Sequence, residues 1–294
     1  MTLEQLRIFV AVAERQHMTR AAEALGLVQS AVSAAVAALE ARHATVLFHR
    51  VGRRIELTEA GRVFLPEAKA VLARAAAAEL ALTETSGLVR GSLAVAASQT
   101  IAAYWLPGLL VRFRRDHPQI AVRLVVGNTA QVAQAVVDGV ADLGFVEGAI
   151  DEPALNDHPF AGDRLILVAS PAHPFAAAPA LEPADLLAAD WILREPGSGT
   201  RSEFEEALRA AGLDPGRLRV VLELPSNEAV RSAVEAGGGV TVVSDLVAAS
   251  GLRSGQLARA AFALPVRNFH LLRHRERYHS LAARTLAALI GSKP

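Results

Sequence analysis

Small hydroxyl and amide residues gather at four points in the second half of the chain. They are Ser98-Gln99-Thr100, Gly127-Asn128-Thr129, Gly197-Ser198-Gly199-Thr200-Arg201 and Pro225-Ser226-Asn227-Glu228. Each follows an apolar, strand-like run and precedes a helical one. The first backbone N–H groups of a helix lack intrahelical acceptors, and the helix dipole there favours negative charge. Four such points in one α/β unit predict a site for a small anion, and Arg201 adds paired donors for a carboxylate or oxyanion. The same residues are also good N-caps, and Thr200 with Glu203 has capping-box spacing. One junction alone reads better as a cap; the four together favour a ligand.

Other chemistry is poorly supported. "GSGTR" lacks the Lys and the spacing of a phosphate-binding P-loop. Ser198 sits in no nucleophile elbow and has no His placed with it. No paired carboxylates suggest acid–base catalysis, and with no Cys there are no thiolate nucleophiles, thiolate metal sites or disulfides. His270, His274 and His279 lie in "FHLLRHRERYH", whose spacing matches no usual metal site and which reads as a solvated basic face. "EAGGGV" around Gly238 reads as a helix end followed by a strand. The expectation is therefore no catalytic residue, no metal and no cofactor.

The elements that must position the four junctions alternate. "SLAVAAS", "IAVRLVVG", "DLGFVEG", "RLILVAS", "WILRE", "LRVVLELP" and "VTVVSD" read as strands. "IAAYWLPGLLVRFRRDHP", with an internal Pro, "AQVAQAVVDGVA", "SEFEEALRAAG" and "NEAVRSAVEAGG" read as helices. The pattern is α/β with parallel sheets, and its length suits two doubly wound lobes with a cleft between them.

Residues 1–58 read differently. Leu3, Leu6, Phe9, Val10 and Ala13 recur at helical spacing. Thr19 is a candidate N-cap for "RAAEALG", which Gly26 ends. A further helix from Gln29 carries Val32, Val36 and Leu39 on one face. "LFHRVGRRIELT" reads as strand, tight turn at Gly52, strand. The order is that of a winged helix-turn-helix. In residues 59–86, Phe64, Ala68, Val71, Ala75, Ala78 and Leu82 are spaced 4, 3, 4, 3, 4. That is a two-stranded seam or the face of an ordinary amphipathic helix, and a dimerisation helix suits DNA readers of this shape. "TSGLVRGS" is a linker.

The 294 residues carry 30 basic and 30 acidic side chains, so any nucleic-acid site is a local patch. Residues 1–62 hold eight Arg against six Glu, a net charge of +2. Arg50, Arg53 and Arg54 crowd the wing, where they would hold phosphates or probe the minor groove, and Thr19 and Arg20 would meet phosphate. Base readout falls to Gln29, Ser30 and Ser33, with Ala31 or Ala34 against a thymine methyl. The N-terminus lacks a signal-peptide core, and no segment reads as a membrane span, so a cytoplasmic location is expected.

The signature "LRIFVAVAERQHMTRAAEALGLVQSAVSAAVAALEARHATVLFHRVGRRIELTEAG" resembles the LysR-type transcriptional regulators over essentially the whole chain. "F-x-x-V-A-E", "A-A-E-A-L", "Q-S-A-V-S", "A-L-E", "L-F-x-R" and "L-T-x-A-G" stand in the family's order and spacing. "VGNTAQV", "DLGFVEG" and "LREPGSGTR" look like the CysL-like and CbbR-like branch. The resemblance implies an N-terminal winged helix-turn-helix (1–58), a linker helix and hinge (59–90) and a periplasmic-binding-protein-like effector domain (91–294). Its lobes would span about 91–161 with 267–294, and about 162–266. It implies an effector cleft that includes Glu147, control through DNA bending, and regulation of sulfur or carbon assimilation genes. Sulfite, O-acetylserine and phosphorylated metabolites are the candidate effectors. The implied partners are promoter DNA with an inverted repeat, a second copy in a dimer or dimer-of-dimers tetramer, and RNA polymerase. The chain departs from the family at Ser30, where Pro is common, at Ala34, where Arg, Lys or Gln is common, and at "HAT" (43–45), where the turn usually reads L-G. A solute-binding protein shares the C-terminal build but requires an export signal and no helix-turn-helix. An anion-dependent enzyme requires a positioned base or nucleophile.

Overall fold

The computed structural model describes residues 1–51, 54–84 and 91–291. Its N-terminal unit begins with α1 (Leu3–Arg15), α2 (Met18–Leu25) and α3 (Gln29–His43). Strands β1 (Phe48–Val51) and β2 (Arg54–Leu57) and the long helix α4 (Glu59–Glu84) follow. A Thr2–Gln5 capping box starts α1. The N-cap of α2 is His17, not Thr19: its ring Nδ1 accepts the Arg20 N–H at 3.5 Å. The helix starts early because Met18 packs into the core formed by Val12, Ala22 and Val32, which leaves Thr19 exposed on the first turn. Gly26, at φ +66°, closes α2 as expected.

Three family motifs prove to be scaffold. Glu40, the acid of "A-L-E", accepts the Leu47 and Phe48 N–H groups at 2.7 and 3.2 Å, which ties α3 to the first strand. Thr58 of "L-T-x-A-G" donates to Val46 O at 2.8 Å and accepts the Gly61 N–H at 2.9 Å. A Cβ on Gly61 would lie 2.2 Å from Leu47 O, so only glycine lets α4 approach the strand pair. Phe9 centres the core, with ring centroids 5.4 Å from Phe48 and 4.9 Å from Phe64. Phe64 and Ala68, the start of the expected seam, are thus turned onto α1 inside this unit. Val71 and Leu82 remain exposed. Strand β1 pairs antiparallel with β2, from Phe48↔Leu57 to Val51↔Arg54. The turn expected at Gly52 lies outside the described residues.

The C-terminal unit holds β3 (Gly91–Ser98), α5 (Leu106–Asp116), β4 (Ile120–Gly127), α6 (Thr129–Val137), β5 (Leu143–Glu147) and β6 (Leu155–Ala169). Then come α7 (Pro174–Ala177), β7 (Asp190–Arg194), α8 (Gly199–Ala210), β8 (Arg219–Leu224), α9 (Asn227–Glu235) and β9 (Val240–Ser244). The unit ends with α10 (Asp245–Ser254), β10 (Ala258–Arg259), β11 (Val266–His274) and α11 (Leu281–Gly291). The strands form one sheet ordered β4-β3-β5-β11-β6-β9-β7-β8, with β10 on β6. It is mixed rather than parallel. β3 runs parallel to β4 and β5, and β7 to β8 and β9, but β11 runs antiparallel to β5 and β6, and β6 to β9. The antiparallel pairs arise because β6 and β11 cross from one lobe to the other. β6 pairs with β11 up to Arg164 and with β9 from Leu165. The first lobe is built on Leu93, Val95, Phe113, Phe145 and Phe269. The second is built on Trp191, Phe204 and Val240 on one sheet face and on Ile166, Val230 and Val243 on the other.

Two readings need correction here. The basic stretch containing His270 begins as a core strand rather than a solvated face: Phe269, His270, Leu271 and Leu272 are buried, His270 Nδ1 is turned to Asp157, and only Arg275, Glu276 and Tyr278 further on are exposed. The long helix expected after Ser98 is two pieces, a π turn over Ile101–Trp105 and then α5, with Pro107 near the start of α5 where its missing N–H is tolerated. No single helix among the described residues is long and apolar enough to cross a membrane.

Candidate functional site

Helix α3 presents a nearly neutral outer face. Gln29, Ser30 and Ala34 are exposed and Ser33 is half-buried. Gln29 Nε2 donates to Ser33 Oγ at 2.8 Å, so the two expected readers form one oriented pair. The helix has no side-chain cap: its N-cap is Val28, 67% exposed, so the first N–H groups of α3 stay open to an external acceptor. Thr19 and Arg20 are exposed on α2. Arg50 and Arg54 occupy the two strands of the wing, opposite Ile55 and Val51. Their side chains, and all of Arg53, lie outside the described residues. Ala44, in the "HAT" turn, closes α3 at φ +48°, a left-handed conformation that the family's usual glycine adopts without strain.

In the C-terminal unit the four junctions come together from both lobes. Gln99 and Thr100 follow β3, Asn128 and Thr129 open α6, Ser198 to Thr200 open α8, and Asn227 opens α9. Gln99 Nε2 donates to Pro225 O, and Gln99 Oε1 accepts the Asn227 N–H, both at 2.9 Å. Asn227 Nδ2 donates to Thr100 Oγ1 at 3.1 Å, and the Ala130 N–H donates to Gly197 O at 3.2 Å. Asn128 Nδ2 donates to Glu195 Oε1 at 3.1 Å. Ser98, Thr100, Thr129, Glu147, Ser198, Thr200 and Asn227 are all buried. Ser98 Oγ has no hydrogen-bond partner.

Capping explains only some of these residues. Ser226 Oγ caps α9 by accepting the Ala229 N–H, and Asn128 exchanges bonds with Gln131 in a capping box. The Thr200–Glu203 box does not form. Ser198 is the N-cap without a side-chain bond, and Thr200 Oγ1 instead accepts from Arg267 Nη1 at 3.0 Å. Gly197, at φ +86°, and Gly199 let α8 begin against Asn128 and Thr129; a Cβ on Gly199 would lie 2.5 Å from Thr129 Oγ1.

Arg201 is not a free cation. Its Nε donates to Glu205 at 2.8 Å, and its Nη1 to Glu223 at 2.6 Å and to Arg194 O at 2.9 Å. Two other arginines stand nearer the junctions. Arg194 holds Glu195 through two bonds of 2.8 Å and reaches Asn227 Oδ1 at 2.5 Å. Arg267 clasps Asp163 at 2.5 and 2.8 Å. Sequence reasoning missed both. Arg194 lay in plain view within "LREPGSGTR", but nothing local tied Arg267 to a junction 67 residues away. Burial works to raise the Glu195 carboxyl, but the Arg194 and Asn128 hydrogen bonds outweigh it and hold the group below the ordinary range. Burial, with Glu206 and Glu147 nearby, raises Glu203 above that range against the pull of Arg267. No cluster of three or more potential metal-binding side chains occurs among the described residues.

A helix-turn-helix unit with a wing, a long helix and a two-lobed cleft domain together define a DNA-binding regulator with an effector-binding domain. The chain belongs to the LysR family: residues 3–62 match the bacterial regulatory helix-turn-helix protein, lysR family, and residues 86–293 match the LysR substrate binding domain. It is 39% identical to the HTH-type transcriptional regulator YeiE of Escherichia coli, covering 96% of this chain and 94% of that protein. It is 34% identical to the "Probable RuBisCO transcriptional regulator" of Cyanophora paradoxa (96% and 89%) and 32% identical to CysL of Bacillus subtilis (95% and 91%). The Synechocystis CcmR regulatory domain, solved in complex with 2-PG, is 28% identical, with a TM-score of 0.62 over 69% of this chain and 96% of that one. Full-length CbnR complexed with its target DNA shares the fold, with a TM-score of 0.70 at 24% identity over 99% of both chains.

Proposed function

We propose that this regulator is a cytoplasmic protein without enzymatic activity that binds an inverted repeat in promoter DNA as a dimer or dimer of dimers. It responds to a small anionic metabolite held between the lobes. Residues 1–58 bind DNA, 59–90 pair the copies, and 91–294 sense the effector, with lobes of about 91–161 plus 267–294 and about 162–266. Gln29, Ser30, Ser33 and Ala34 face the bases, while Thr19, Arg20, Arg50, Arg53 and Arg54 face phosphates. Effector binding shifts the population between lobe arrangements, and the change reaches DNA bending and RNA polymerase.

One observation carries the reading of the cleft: Gln99 and Thr100 of one lobe meet Asn227 of the other among buried hydroxyls at helix starts. Arg194, Arg201 and Arg267 are each already paired with carboxylates, so an anion is bound by backbone N–H groups and hydroxyls rather than by a bare guanidinium. Arg201 thus supports α8 instead of touching the ligand. The likeness to CysL, to RuBisCO regulators and to CcmR with 2-PG favours sulfur or carbon assimilation. Titration calorimetry of the full-length protein with sulfite, O-acetylserine and 2-PG tests this. One of them binds, and Thr100→Ala weakens it about tenfold or more, as expected for a lost buried hydrogen bond. Unaltered affinity in Thr100→Ala moves the site elsewhere.

A further inference from the structure

The carboxylates around the cleft are not equally satisfied. Asp163 takes two bonds from Arg267, at 2.5 and 2.8 Å, and Glu195 takes two from Arg194 and one from Asn128. Glu147 is 4% exposed, yet its contacts are weak: Thr129 Oγ1 stands at 3.4 Å and Arg267 Nη2 at 4.0 Å. A carboxylate offers about four acceptor positions. Burying a carboxylate is costly unless those positions are taken up by donors.

Glu147 ends β5, and Ser98, whose buried hydroxyl lacks a partner, ends the neighbouring parallel strand β3. The starts of α6 and α8 close on Glu147: Thr129 touches the carboxylate, and Gly199 is packed so tightly that a Cβ would lie 2.8 Å from Glu147 O. Around Glu147 stand donors that no side chain engages, the uncapped start of α8 and the Ser98 hydroxyl, and one weakly engaged acceptor, Glu147 itself. A fully deprotonated oxyanion meets the donors but is repelled by the carboxylate. An oxyanion that brings its own proton satisfies both.

We propose that Glu147 is a specificity-determining acceptor, and that the effector is a small oxyanion bearing an O–H or N–H donor, in the manner of hydrogen phosphate or hydrogen sulfite. Sulfate, of similar shape but without a proton to give, is rejected. The inference rests on the cleft being the effector site.

The test is calorimetry on the full-length protein near neutral pH with inorganic phosphate, sulfite and sulfate as probes. Phosphate or sulfite binds, and sulfate binds weaker by on the order of 100-fold or more, because a buried acceptor is left unpaired. Glu147→Gln replaces the charge with an amide that also donates, so sulfate gains affinity and the ratio falls to within about tenfold. A purely structural role for Glu147 would shift all three probes together and leave the ratio unchanged, which overturns the inference. Equal binding of the three by the unaltered protein overturns it too, while leaving the cleft reading intact. No binding of any probe also overturns it. The cleft reading then stands or falls on the metabolite titration and Thr100→Ala.

Discussion

Asn227, at the start of α9, donates its amide to Thr100 Oγ1 at 3.1 Å and accepts Arg194 Nη1 at 2.5 Å, joining the two lobes through one side chain. Replacing it with Ala leaves a buried guanidinium and a buried hydroxyl short of a partner. Asn227→Ala is expected to cost about 1–3 kcal/mol of stability, read as a lower urea midpoint.

The pairing of Arg201 with Glu205 and Glu223 makes an opposite forecast for that position. Arg201→Ala should lose about 1–2 kcal/mol of stability, since it removes two partly exposed ion pairs and a bond to Arg194 O. Effector affinity should change less than about threefold, the scatter expected of a residue outside the contacts. A loss of binding in calorimetry would return Arg201 to the ligand.

Glu203 supplies a pH dependence. Its folded pKa is raised, so the folded state holds the proton more tightly than the unfolded chain does. Its contribution therefore favours folding at low pH and is lost as pH rises from the ordinary carboxylate range through the raised folded value. Glu203→Gln should be more stable than the parent protein at about pH 7, and the gap should close towards about pH 4. Paired urea titrations across that range give the sign directly.

On the DNA side, the Gln29–Ser33 bond orients the amide, so both members of the pair should matter. Gln29→Ala should cost about 1–3 kcal/mol of discrimination at one base pair, and Ser33→Ala part of it. Arg20→Ala should weaken all sequences alike and flatten the salt slope by about one unit. Footprinting across operator variants at several salt concentrations separates the two effects.

The left-handed Ala44 predicts a gain. Ala44→Gly removes a side-chain clash worth about 1 kcal/mol and should raise the thermal midpoint. A lower midpoint would mean that unfolded-state entropy dominates at this turn.

The helix-turn-helix was legible because its signals are local: the Val32, Val36 and Leu39 stripe, the Gly26 stop and the motif order all act within a few residues. The junctions were legible for the same reason, since hydroxyls and amides mark helix starts whatever the fold. What escaped was non-local. The first ten residues of β6, "LNDHPFAGDR", alternate too poorly to declare a strand and become one only by pairing with β11. His270 looked like surface charge because nothing nearby shows that Asp157 will meet it inside the sheet, and nothing near Arg267 announced its pairing with Asp163. The surroundings of Arg201 were legible only in part: its spacing to Glu205 was visible, but Glu223 arrives from β8 to take a second bond.

The place of β11 in the strand order has a consequence for synthesis. This strand, which follows every other strand of the sheet in the chain, inserts between β5 and β6. Until residues 266–274 emerge, both neighbours present open edges that invite pairing with other chains. A ribosome stalled, or a chain cut, shortly before residue 266 should yield aggregates rather than a working half.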